Sequence, residues 1–537
     1  MRWWRDDPRM PGGGVLAILE MRRGERSVYM SEEHEFDPTE YAEQLGYVDE
    51  LTTNDFTDPA AERAKSPGEL RVSRRDLIVK GGIGAAAAAG LGALAGPAAG
   101  GTSSGEKYTG TLNMISLGVE WPPGAEQQAE KDLGVKFNVQ LMGTNAQVQK
   151  SITAPKSFDI GGLYNYQFQP IWPTGNFQPV DRLKIRAWKD FYPIFTKGKV
   201  LLTNKGCTQG QGDAPYRMLY VDPNGSTGLP KTKEAGPQNK QIVQWWNQAS
   251  NKPFGGKPQP RWLLGPPAHF NMDSMGYDGS VLNKAPGQVS WAELLNTKWK
   301  GRVAVLNDPA IAMDDLGNAV KALGLMKIKD LGNMTRGEMD RLFKILTKYK
   351  KNGQFRAFWA TFNESVNLMA SKEVVIESMW SPAVALLVAQ GVDCRYAFPK
   401  EGIRGWCSAQ GIPTHVTGEK LQAVYNYLNW MYEGWLGAQI MRQGYYVANG
   451  KKLLAWIQKN GSEGAPPFTK AEYDFWYLGK PAPRDLPGIT GKVGDIKKGQ
   501  VRDGGSFVKR SCKYTVWNSF YEENVYQVKK FNEFLSA

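Results

Sequence analysis

The 537-residue chain is 41% apolar and 22% charged, a globular composition in a length that exceeds one ordinary domain. Its net charge of +13 is unevenly placed: residues 1–100 hold 12 basic and 17 acidic side chains, leaving 54 basic and 36 acidic after position 100. The basic residues come in scattered pairs such as Lys350-Lys351 and Lys497-Lys498, which argues for a solvated surface and against nucleic acid as a partner, while three histidines and four widely spaced cysteines without a CxxC argue against structural zinc; no cofactor is expected.

In chain order, residues 1–72 read as an acidic, disordered extension. Positions 31–69 alone carry 12 acids against two basic residues, with few large apolar side chains. Met30 is an alternative start. Residues 73–105 read as an export signal and linker. The stretch Ser73-Arg74-Arg75-Asp76-Leu77-Ile78-Val79-Lys80 resembles the twin-arginine motif, and the Ala/Gly run 81–100 follows it with only Ile83, Leu91 and Leu94 as large apolar residues. That run is marginal for a spanning helix, and Ala93-Leu94-Ala95 offers a cleavage site, which places the mature protein in the periplasm. Gly82–Ala87 with Glu106 also fits a dinucleotide-binding spacing, but Gly96-Pro97 and the glycines of 100–105 stand where that motif needs a helix end and a strand. Gly101-Thr102-Ser103-Ser104-Gly105 lacks the strand and helix that a nucleophile elbow requires.

From 106 onward short β-like runs alternate with longer helical ones. Strands are expected at Thr111–Ser116, Lys136–Leu141, 302–306 and 373–379. Helices are expected at 123–133, 313–326, 335–351 (opened by a Thr335/Glu338 capping box), 355–371 and 419–443. This alternation predicts α/β architecture with mixed sheets. Residues 206–262, rich in Pro, Gly, Asn and Gln, read as a surface excursion.

Four stretches then share one pattern. They are Leu112 to Pro122-Pro123-Gly124; Ser157-Phe158-Asp159-Ile160 leading to Tyr164-Asn165-Tyr166; Ser290-Trp291-Ala292-Glu293-Leu294 with Lys300-Gly301-Arg302-Val303 and Asn307-Asp308-Pro309; and Met379-Trp380 with Pro399-Lys400-Glu401-Gly402 to Trp406 and Ile412-Pro413. In this order and spacing they resemble the spermidine/putrescine-binding class of periplasmic solute receptors over roughly 108–455, returning at 516–535. The resemblance implies a two-lobed periplasmic-binding-protein (type II) fold with a hinge, lobe 1 mainly 106–272, lobe 2 mainly 273–407, and 408–537 completing both. It implies a monomeric receptor, not an enzyme, that delivers a small molecule to an ABC permease in the membrane.

The same resemblance implies a ligand cage of aromatic rings with carboxylates, carried here by Trp406, Trp380, Tyr166 and Tyr445, with Asp308 and Glu120 as acids. Such rings attract alkylammonium groups, and carboxylates answer the charge that burial would otherwise make costly. Strand alternation puts Ser408 on the Trp406 side and Cys407 behind. Two acids of the family pattern are missing, replaced by Ser408 and Ile311, so the ligand is expected to be amine-type rather than spermidine itself. Asp308 also fits a helix cap and Glu120 a helix-dipole partner. An organic anion, an amino-acid derivative, a ferric ion held by Tyr445-Tyr446, and an exported enzyme are the competing readings. Of the three ways to pair four cysteines, one joins Cys394 to Cys407 across the 400–402 turn and leaves Cys207 for Cys512.

Overall fold

The computed structural model describes residues 108–118, 120–196, 207–208, 210–221 and 261–537. The expected acidic extension, the twin-arginine motif with its linker, and most of the 206–262 excursion lie outside them.

The chain opens with two crossover units: β1 (Thr111–Ser116), α1 (Ala125–Leu133), β2 (Lys136–Leu141), α2 (Thr144–Thr153) and β3 (Ile160–Tyr164). β1 pairs parallel with β2 from Thr111 opposite Lys136 to Ser116 opposite Leu141, and parallel with β3 at Met114 and Ile160. Parallel neighbours need a crossover between them, and α1 and α2 supply it. After the long strand β4 (Pro267–Asp278), the arrangement recurs as β5 (Val303–Leu306), α3 (Pro309–Ala322), α4 (Arg336–Lys351), β6 (Phe355–Trp359), α5 (Phe362–Ala370) and β7 (Ile376–Met379). Here β5 pairs parallel with both β6 and β7. Then come α6 (Ser381–Ala389), β8 (Cys394–Tyr396), the long strand β9 (Ile403–Pro413), α7 (Gly418–Trp430), α8 (Trp435–Arg442), α9 (Gly450–Asn460), α10 (Lys470–Leu478), β10 (Tyr514–Trp517) and α11 (Asn524–Ser536).

All these strands join one mixed sheet whose main path runs β6-β5-β7-β4-β9-β3-β1-β2. Its two ends are parallel trios, and its centre is the antiparallel pair β4/β9. β4 changes partner along its length: residues up to Asp273 pair with β9, and Ser274–Tyr277 pair with β7. The apolar cores divide on the same strand. Phe270 and Met272 pack into the core that contains Leu112, Phe137 and Leu163, whereas Met275 and Tyr277 pack with Trp291, Val305 and Phe343. The chain end crosses again, since β10 pairs parallel with the start of β9 and α11 then lays Phe531 and Phe534 against Phe343 of the second core.

Two expected helices are corrected. The single helix expected over 355–371 is β6 followed by α5. The run Phe355, Phe358, Trp359 fits a strand as well as a helix, and Thr361 restarts the helix through a capping box with Glu364. The helix expected over 419–443 breaks into α7 and α8 at Gly434, where φ is 130° and a Cβ would meet the Trp456 indole at 2.1 Å. The Thr335/Glu338 capping box is present as read from the sequence.

Cys207 and Cys512 form a disulfide, while Cys394 and Cys407 are buried free thiols. The Cys394–Cys407 bond is therefore a correction. Both residues pair with β4, but Cys394 lies opposite Asp278 and Cys407 opposite Phe270. Eight strand positions separate those partners, about 26 Å, against the roughly 7 Å that a disulfide can span between Cα atoms.

Candidate functional site

Every residue of β4 and β9 is buried, yet both carry polar side chains at alternate positions. His269, Asn271 and Asp273 alternate with Phe270 and Met272 on β4. Arg404, Trp406, Ser408 and Gln410 alternate with Gly405, Cys407 and Ala409 on β9. Alternation sends successive side chains to opposite faces, and Trp406 lies opposite Asn271 in register, so the polar sets share one face. Gly405 belongs to the other face, where a Cβ would meet the Trp517 ring at 2.6 Å.

On the polar face, rings gather around Trp406. Tyr164, at the end of β3, meets it edge-on with centroids 5.0 Å apart, and Tyr445 does the same at 5.0 Å. The His269 imidazole stands perpendicular to Trp406 at 5.5 Å and stacks on Tyr445 at 5.4 Å. Tyr166 extends the group by stacking on Tyr164 at 5.7 Å. Two carboxylates flank these rings. Asp273 accepts from Trp406 Nε1 at 2.6 Å and from Tyr396 Oη at 3.1 Å. Glu120 accepts from Ser116 Oγ at 3.3 Å and lies 3.4 Å from His269 Nε2, a contact too poorly aligned to be a hydrogen bond. Ser408 Oγ reaches His269 Nδ1 at 3.2 Å on the Trp406 side of β9, as alternation requires.

Burial dominates the electrostatics. It raises Glu120 to about 7 and Asp273 to about 6, the latter opposed by the charge of Arg404. It lowers His269 to about 3, which leaves the imidazole neutral. Arg404 is answered by Asp315 at 2.8 Å, so its charge is already paired. Glu120 Oε1, His269 Nε2, Asn271 Oδ1 and the Tyr445 hydroxyl are all buried without a hydrogen-bond partner. Buried polar atoms are nearly always bonded, and these four unbonded ones belong to one group of neighbouring side chains, where a polar solute could complete them.

The remaining candidates divide. Asp308 caps α3 through Oδ1, which accepts from Ala310 and Ile311 N, both at 2.9 Å. Its Oδ2 accepts from Tyr166 Oη and Thr144 Oγ1, both at 2.8 Å, so the cap also ties β3 and α2 to the second half of the sheet. Glu120 lies ahead of α1 but is turned inward toward His269 and Ser408, which is more than a dipole partner would need. Trp380 packs elsewhere: its ring neighbours are Trp359 at 5.1 Å and Phe362 at 6.5 Å, and it is not brought into the Trp406 group. Tyr446, next to Tyr445, packs instead on Phe270, Phe507 and Tyr477, away from the Trp406 group. Two phenols that point apart cannot chelate one ferric ion, and the iron reading falls on that geometry. Among the described residues no group of three His, Cys, Asp or Glu could hold a metal, and no helix is long and apolar enough to cross a membrane.

Tyr164, His269, Asn271 and Asp273 were missed from sequence. The signal was available, because a polar residue at every second position between Phe and Met is unexpected in a wholly buried strand.

Residues 125–446 match the family model described as "Bacterial extracellular solute-binding protein". Among solved structures, a protein of Listeria monocytogenes described as a spermidine/putrescine ABC transporter is 14% identical, covering 79% of this chain and 98% of its own, with a TM-score of 0.48. The PBP MotA from A. tumefaciens B6, in complex with glucopine, is 10% identical over 80% of this chain and 99% of its own, TM-score 0.45. A spermidine/putrescine substrate-binding protein of Streptococcus pneumoniae is 16% identical over 67% and 90%, TM-score 0.40. None of these likenesses bears on the solute that this chain binds.

Proposed function

This chain belongs to the bacterial extracellular solute-binding proteins, and from that premise we propose that it captures a small amine-type solute, of the polyamine-like class, and hands it to an ABC permease. The cluster of rings and carboxylates on the polar face of β4 and β9 is the capture site. One observation carries the reading: two buried carboxylates, Asp273 and Glu120, flank the rings of Trp406, Tyr445, Tyr164 and His269 with their ordinary acidity suppressed by burial. An ammonium group placed among them supplies the missing countercharge and meets ring faces, each contact being worth about 0.5–2 kcal/mol once water is excluded. An anion there would face two carboxylates with Arg404 already engaged.

Lobe 1 (mainly 106–272) and lobe 2 (mainly 273–407), both completed by 408–537, close over the solute by bending at β4, β9 and the segment before α11. Ligand then stabilises the closed form alone. Tyr166, Asp308 and Ser408 complete the site, while Trp380, packed on Trp359 and Phe362, stays outside the ring group. Binding is stoichiometric and converts nothing.

Calorimetric titration of the purified chain with butylamine, putrescine and spermidine tests this. Saturable one-to-one binding is expected, weakened at least about tenfold by Trp406→Phe, which keeps a ring but removes the donor to Asp273. Undiminished amine binding in both Trp406→Phe and Asp273→Asn would sink the assignment, as would steady-state turnover of the solute.

A further inference from the structure

We propose that this chain has a second ligand site, a pocket for a short aliphatic carboxylate, walled by Arg502 and Arg510 in a C-terminal segment that the family match does not include. The match ends at 446, and residues 475–510 fold back over α6 and β8 to line a partly open cavity of about 80 Å³. Its walls include Val388 of α6, Tyr396 of β8, Trp476 of α10 and Ile489.

The two arginines are the unusual feature. Both are buried, and among the described residues neither forms an ion pair within 4 Å. Arg502 lies between the rings of Tyr446 and Trp476, at 4.5 and 4.9 Å, and donates only to the carbonyls of Trp476 and Gly444. Arg510 donates to the carbonyls of Asp503 at 2.8 Å and Met272 at 3.1 Å, and its Nε has no partner at all. A guanidinium has five N–H donors, so carbonyls leave much of each fork unused. Burial, and after it the neighbouring charge of Arg510, pull Arg502 down to about 10, with Tyr446, Tyr477 and Asp503 opposing.

Of the two carboxylates lining the cavity, Asp495 is turned to Thr490, while Asp503 lies near both guanidiniums without an ion pair to either within 4 Å. Asp495 accepts from Thr490 N at 2.8 Å and from its hydroxyl at 2.7 Å, and Asp503 Oδ2 accepts from Tyr396 N at 2.9 Å. A planar carboxylate suits what remains, because guanidinium forks bind it through paired N–H donors. The apolar walls of Val388 and Ile489 suit a short alkyl tail, and the space corresponds to about two or three waters, the scale of propionate. Tyr396, which lines this cavity, also donates to Asp273 of the amine site, so the two sites share a wall, and the charge of Arg510 acts on Asp273 across it.

The test is calorimetric titration of the full chain with sodium propionate and, separately, with butylamine. Propionate is expected to bind saturably to the wild type. Val388→Phe and Ile489→Phe, which fill the cavity from a helix and from a loop, are expected to weaken propionate binding at least about tenfold and to leave butylamine binding unchanged. Arg510→Gln is expected to weaken propionate likewise, and Trp406→Phe to weaken butylamine alone. Absence of saturable propionate binding to the wild type overturns the proposal, and so does undiminished propionate binding in the two filled-cavity variants. Failure of butylamine binding alone tells against the amine site and leaves this pocket standing.

Discussion

Glu120 is the residue in which folding and function pull against each other. Its acidity is ordinary at 4.5 in the unfolded chain and shifts to about 7 in the fold because burial penalises the charge. Between those values the native state holds a proton that the unfolded state has released, so stability of the free protein falls as pH rises through that window, by on the order of 3 kcal/mol. Asp273 acts in the same sense between 3.8 and about 6. A bound ammonium favours the charged carboxylates, so binding expels a proton below about pH 7 and affinity falls as pH is lowered. Glu120→Gln is therefore expected to flatten that pH profile, weaken amine binding and raise the melting temperature of the free protein at neutral pH. Titrations in buffers of different protonation enthalpy read the proton release directly, and a pH-independent wild-type affinity would contradict the role given to Glu120.

At the scale of the element, β4 and β9 do opposite work on their two faces. One face carries the polar row His269, Asn271, Asp273, Arg404, Trp406 and Ser408. The other is apolar and so close-packed that Gly405 lies directly against the Trp517 ring. An aromatic ring held between strands cannot retreat cheaply, so Gly405→Ala is expected to cost about 1–3 kcal/mol by urea denaturation. Because that face does not touch the solute, amine affinity in the folded variant should match the wild type. A large loss of affinity at full stability would mean that the two faces are not independent.

For the whole molecule, the decisive feature is that one sheet serves two cores, with few segments crossing between them. β4 changes partners midway, β9 runs beside it, and the chain returns once more from β10 into α11. Bending at so few strands leaves the core of Val303, Val305 and Phe343 intact, although Ala304, Leu306 and Trp359 of the same half share a core with Leu112. Adding putrescine is therefore expected to reduce the radius of gyration in small-angle scattering and to raise the melting temperature with ligand concentration, by mass action. A melting temperature that rises without any contraction would argue for a rigid site. The Cys207–Cys512 disulfide fits a protein of the extracellular space, where such bonds persist.

Periodicity and order along the chain carried the architecture from sequence alone. The α/β alternation, the capping box at Thr335, the placement of Trp406 and Ser408 on one strand face, and the motif order pointing to a solute receptor all depend on local spacing, which the sequence contains directly. Tertiary structure alone decided what came together. His269, Asp273 and Tyr164 join Trp406 only because β4, β9 and β3 are neighbours in the sheet, Trp380 is taken by Trp359 and Phe362, and Cys394 is held far from Cys407. Local rules fix the face a side chain presents, but its neighbours depend on strand pairing between residues more than a hundred positions apart, such as Asn271 and Trp406. No short window of sequence records that pairing.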